Sequence, residues 1–150
     1  MEKNTKAPEA KVAISRKKIG GEVPMAVSEI TDRCLYSGLF GTLDSARMKV
    51  ITDKILDLLT ATGIEIIIIN LANVDVIDSA VASHLVRLGD TLKLTGVEVM
   101  FCGIMPQVAQ IMITAGIEMK GFRITRDLKS ALKEVFTLQG FKLVRVGPEE

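Results

Sequence analysis

The chain has 150 residues, 48% hydrophobic and 25% charged, a size at which one domain withdraws about 68–70% of its unfolded surface from water. Nineteen Lys and Arg against 18 Asp and Glu leave a net charge of +1, so no summed field points to nucleic acid or to anionic lipid. Two separated cysteines without a CxxC, a single His84, no apolar run of membrane-spanning length and a charged beginning without a signal sequence predict a cytoplasmic protein with no metal site, no nucleic-acid partner and no membrane partner.

In chain order, residues 1–22 read as a mobile polar arm, with six Lys or Arg against two Glu before Gly21. A domain over 23–138 follows. Val23 to Ile30 and Cys34 to Phe40 flank a turn at Thr31-Asp32-Arg33 and read as paired strands. Met48, Ile51, Ile55, Leu58 and Leu59 recur at helical spacing, with Thr42 or Asp44 as N-cap and Gly63 beyond the end. The run Ile64 to Ile69 has the composition of a strand buried on both faces, and Asn70 to Ile77 reads as a connection.

Asp78-Ser79 then open a helix with Ala82, Leu85, Leu88 and Leu92 on one face, stopping before Gly96. Val97 to Cys102 is the next strand, and Pro106 starts a helix carrying Val108, Ile111, Met112 and Ala115 towards Gly116. A short strand over Phe122 to Ile124 leads to a helix capped by Thr125, with Leu128, Leu132, Val135 and Phe136 inward and Gly140 as terminator. Residues 139–150 form a C-terminal extension whose weak alternation of Phe141, Leu143, Val144 and Val146 suits an added edge strand or surface docking. The order β-β-α-β-α-β-α-β-α with short connections defines an α/β domain.

Candidate chemistry is sparse. His84 lies five residues after Ser79 on one helix, about 500° around the axis, so the two side chains point about 140° apart and no serine–histidine pair forms. Cys34 and Cys102 fall in strand patterns, as inert buried thiols. Neither GxGxxG nor GxxxxGK[ST] occurs, and Gly38-Leu39-Phe40-Gly41 reads as turn glycines. Asp75 and Asp78 lack a third carboxylate for a dedicated cation site.

Ser79 is the residue that stands out. Serine after aspartate at a helix start is ordinary capping chemistry, worth about 1 kcal/mol. It is also a suitable phosphoacceptor. A phosphate there is favoured by the helix dipole, yet adds about −1.5 to −2 charge beside Asp75 and Asp78, enough to expel a partner docked through apolar contacts.

Read with its neighbours, Val74-Asp75-Val76-Ile77-Asp78-Ser79 resembles the phosphorylation loop of STAS domains, the anti-sigma factor antagonists. Further likenesses follow in order: Leu94 to Val99 at a strand entry, Gly103-Ile104-Met105-Pro106-Gln107-Val108-Ala109 as the G-I-x-P-x-V-A turn, and Ala115-Gly116-Ile117 at a helix exit. They span about Val23 to Phe136. The resemblance implies the STAS fold, a mixed, mostly parallel central sheet with about four helices, and no enzymatic activity or cofactor.

Within the family the likeness is to the stressosome proteins RsbS and the STAS half of RsbR, whose residue directly after the loop aspartate is phosphorylated. That role carries over to Ser79, with Asp78 capping and presenting it and Asn73 and Asp75 shaping the loop. Serine at that place and a short preceding arm resemble RsbS; Gly41 to Ser45 and Ala80 to His84 look more like RsbR. Ile111 stands where RsbR-type proteins carry a second phosphorylated threonine, leaving Thr114, one turn on, as a secondary candidate.

The implied partners are a serine/threonine switch kinase of the anti-sigma-factor type, a PP2C-type phosphatase, and an RsbR-like co-scaffold or further copies of the chain. The alternatives are a simple antagonist binding an anti-sigma factor directly, and a small-ligand or nucleotide module with its pocket between the Ser79 loop and residues 41–45.

Overall fold

A computed structural model describes residues 25–75 and 77–147. The arm expected over 1–22 lies outside them. Five strands form one sheet in the order β1-β2-β3-β4-β5, with β1 Met25–Thr31, β2 Cys34–Gly41, β3 Ile66–Val74, β4 Glu98–Cys102 and β5 Arg123–Thr125. The first two strands pair antiparallel, and every later pairing is parallel, as right-handed crossovers through helices require. The tight turn between β1 and β2 places Arg33 at φ +60. Four helices are interleaved: α1 Ser45–Thr62, α2 Ser79–Leu94, α3 Pro106–Thr114 and α4 Leu128–Leu138.

The side-chain alternation of the strands divides the core in two. Ile67, Ile69 and Leu71 of β3 and Val99 and Phe101 of β4 pack with Met48, Ile51 and Ile55 of α1, Leu85 and Leu88 of α2, and Val108 and Met112 of α3. Ile66 and Ile68, Met100 and Cys102 face the other way, onto Ala131 and Val135 of α4. Three helices therefore cover one face and one helix the other, and the isoleucine run is apolar throughout because both faces are buried.

Three boundaries depart from the sequence reading. The central strand does not stop at Ile69: it continues to Val74, pairing Phe40 with Asn73 and Gly41 with Val74 past a register shift. Asn70 is tolerated in this half-polar stretch because its Nδ2 donates to the Tyr36 hydroxyl (3.1 Å) and its Oδ1 accepts from the Ala72 N–H (3.0 Å). The last helix is capped by Asp127, whose carboxylate accepts from the Ser130 N–H (2.9 Å); Thr125 instead pairs with Cys102 in β5. Residues 141–147 form neither strand nor helix, although Phe141 is anchored by its N–H to the Phe136 carbonyl (2.8 Å) and by an edge-to-face ring contact with Phe136.

Candidate functional site

The short connection from β3 to α2 is fixed at each end. At its start the Asp75 N–H donates to the Gly41 carbonyl (2.9 Å), and the Asp75 carboxylate accepts from the Thr42 hydroxyl (3.2 Å). Ile77 is buried in the core, and Asp78 takes the N-cap position in extended conformation, its carboxylate accepting from the Val81 N–H (2.8 Å). Ser79 follows as the first helical residue and is exposed. Capping is thus carried by Asp78, and the expectation that Ser79 contributes about 1 kcal/mol as a cap is corrected. Asn73, expected to shape the loop, lies within β3 as its penultimate residue, paired with Phe40.

Beside Ser79 a groove of about 610 Å³ opens towards α3, lined by Ser79, Gln107, Gln110, Ile111, Thr114 and Ala115. Among the described residues no charged side chain lines it. Thr114 shares this groove with Ser79, although 35 positions separate the two in sequence. Gln107 and Gln110 were not singled out by the sequence; the signal available was their place one and four residues after Pro106 in α3. Met105, the N-cap residue of α3, offers no side-chain hydrogen bond, and Pro106 has no N–H.

The flank towards residues 41–45 is bridged by hydrogen bonds. The Thr42–Asp75 hydrogen bond joins those segments, and His84 Nε2 lies 3.1 Å from the Ser45 hydroxyl at the start of α1. Asp44 caps α1 through the Arg47 N–H (2.8 Å) and pairs with the Arg47 guanidinium (2.7 Å). The groove lies on the opposite side of Ser79.

Burial, assisted by Glu29, pushes the Cys34 thiol up to about 11, and burial with Asp127 does the same for Cys102. The Ser130 N–H lowers the Asp127 carboxyl below its ordinary value. Arg123 bridges Glu98 (2.7 Å) and Glu134 (2.8 Å), whose hydrogen bonds raise its pKa, Glu98 contributing most. Among the described residues no three His, Cys, Asp or Glu are placed to hold a metal ion, and no helix is long and apolar enough to cross a membrane.

A mixed five-stranded sheet with three helices on one face and one on the other is the fold seen in the anti-sigma factor antagonist SpoIIAA. Residues 25–131 match the STAS domain model, and the chain belongs to the STAS domain family. It is 26% identical over 129 residues to the RsbT co-antagonist protein RsbRD of Bacillus subtilis, covering 86% of this chain and 45% of that protein. The chain therefore spans less than half the length of that curated relative. Among solved structures, a serine-to-glutamate variant of Moorella thermoacetica RsbS superposes with a TM-score of 0.67 at 20% identity, over 78% of this chain and 98% of that one. The unphosphorylated anti-sigma factor antagonist SpoIIAA superposes at 0.63 and 18% identity, over 79% and 99%.

Proposed function

We propose that this STAS domain is a non-enzymatic antagonist and scaffold subunit of a stressosome-like complex in the cytoplasm. It sequesters a serine/threonine switch kinase and releases it when that kinase phosphorylates Ser79, so controlling a bacterial stress response. The observation that carries this reading is the placement of Ser79: exposed, relieved of capping by Asp78, and on the rim of an uncharged groove. A kinase seated against Ile111 and Ala115 would be repelled when a phosphate bearing about −1.5 to −2 charge appears beside Asp75 and Asp78. The phosphate itself is tolerated at the start of α2, where the helix dipole favours an anion.

The relatives support the same assignment: RsbRD is named a co-antagonist of RsbT, and SpoIIAA is described in an unphosphorylated form. A PP2C-type phosphatase would reverse the mark, and RsbR-like subunits or further copies of this chain would build the scaffold. Thr114, in the same groove, is the secondary phosphoacceptor.

The test is peptide mass spectrometry after incubation with ATP and the switch kinase of the same genome, beside a Ser79→Ala control. A phosphate mapped to Ser79 and absent from the control is the expected result; a phosphate elsewhere with none on Ser79, or no phosphate at all, overturns it. The groove's volume also falls in the range of small-molecule sites, so a ligand-binding module is the second reading. Titration calorimetry with GTP and ATP separates the two, since the antagonist requires no heat of binding in the absence of the kinase.

A further inference from the structure

α3 turns a largely polar stripe towards Ser79. Gln107, Gln110, Ile111 and Thr114 stand at i, i+3, i+4 and i+7, a spacing that puts all four on one side of the helix over about 10 Å, and all four line the groove beside Ser79. Val108 and Met112 of the same helix go into the core instead. Ser79, Gln107, Gln110 and Thr114 are exposed, and among the described residues none of their side chains has a hydrogen-bond partner. Thr114 is set apart by this. The other described helical threonines, Thr52, Thr60, Thr62, Thr91 and Thr137, each donate to the carbonyl four residues back, at 2.7–3.1 Å, whereas the Thr114 hydroxyl leaves the Gln110 carbonyl alone.

The groove therefore presents donors without charge. Each carboxamide offers two N–H groups and the threonine hydroxyl one O–H. The Asp75 and Asp78 carboxylates do not line the groove; one accepts from the Thr42 hydroxyl (3.2 Å) and the other from the Val81 N–H (2.8 Å). An anion carried by Ser79 is repelled by these two acids and finds unclaimed side-chain donors on the α3 side.

We infer that the carboxamides of Gln107 and Gln110, with the Thr114 hydroxyl, seat the phosphate of phosphorylated Ser79 in the groove. The inference rests on the Ser79 reading above and makes these three positioning residues for the mark. Because the donors are neutral, they hold the dianion without cancelling its charge, and the repulsion that expels a partner is kept. The seated phosphate also takes up the space beside Ile111 in which the kinase is proposed to rest, so release comes from a blocked contact as well as from repulsion.

The test uses the full chain with phosphoserine installed at position 79 during translation, so that its outcome depends on no kinase. A kinase that fails to modify Ser79 would show in the phosphate mapping above and not here. Phosphorus NMR titration gives the second pKa of the phosphate in this chain and in the same chain carrying Gln107→Ala/Gln110→Ala. Both glutamines are exposed and alanine favours the helix, so the fold should survive, as circular dichroism checks. Asp75 and Asp78 are unchanged between the two chains, so the difference isolates the carboxamides. Hydrogen bonds to the dianion lower its pKa, so the double variant should titrate roughly half a unit higher, and Thr114→Val should add to the rise. The side-chain amide signals of Gln107 and Gln110 should also move between the unphosphorylated and phosphorylated chains. Equal phosphate pKa values in wild type and variants, or glutamine signals that stay in place, would each overturn the inference and leave the phosphorylation reading standing.

Discussion

Thr42 donates its hydroxyl to the Asp75 carboxylate across 3.2 Å, tying the turn before α1 to the loop that presents Ser79. The pair is exposed, so its contribution to global stability is small, at most about 1 kcal/mol. Thr42→Val should therefore leave the urea midpoint nearly unchanged while slowing phosphate transfer to Ser79, because it loosens one end of the loop. Initial rates with the switch kinase, set against the unfolding curve, check both halves.

Asp78 and Ser79 are adjacent but do different things. Asp78→Ala removes the carboxylate that accepts from the Val81 N–H and should cost about 1 kcal/mol. Ser79→Ala should stay within about 0.5 kcal/mol of the wild type, as expected of an exposed residue outside the cap. Parallel urea titrations decide; equal losses would mean that the serine shares the capping role.

Ile111 is the larger of the two apolar side chains lining the groove beside Ser79, the other being Ala115. Ile111→Glu places a carboxylate where the kinase is proposed to rest, and should abolish co-purification of the kinase while leaving the circular dichroism spectrum unchanged. Capture at the wild-type level would move the docking surface away from α3.

Gly103 has φ +72, and a Cβ there would stand 2.6 Å from Asn70 Oδ1 and 2.9 Å from the backbone nitrogen of Ala72. Its N–H also donates to the Arg126 carbonyl (3.1 Å). Gly103→Ala combines a left-handed backbone, costing roughly 1–2 kcal/mol, with a clash against backbone that cannot turn aside. A total loss on the order of 3 kcal/mol is expected in thermal or urea unfolding.

Cys34 and Cys102 are buried, with pKa values near 11 against an ordinary 9.0. At pH 8 only about one native thiol in 1,000 is ionised, so iodoacetamide should label the denatured chain and spare the folded one. Between pH 9 and 11 the unfolded thiols lose protons that the native ones keep. Stability held below pH 9 should therefore fall as pH rises through that window, and fall less in a Cys34→Ala/Cys102→Ala chain.

Much of the architecture was legible because apolar spacing is a local signal. The isoleucines of β3, the one-sided stripe Leu85, Leu88 and Leu92, and the glycines closing the helices all read directly. Where the reading stopped short, a distant partner had intervened. Asn70 looks like loop until Tyr36, 34 positions away, satisfies its side chain, and Thr125 looks like a cap until Cys102 takes it into the sheet. The groove was illegible for the same reason: Ser79 and Ile111 share it only because α2 and α3 lie on the same face of the sheet.

The two-ended fastening of the β3–α2 loop has a kinetic consequence. With Asp75 tied to Gly41 and Thr42, and Ile77 sunk in the core, the serine would need no rearrangement of its surroundings before the phosphorylation proposed above. Under that proposal the timing of the response would belong to the enzymes that write and erase the mark, and the domain would contribute no delay of its own.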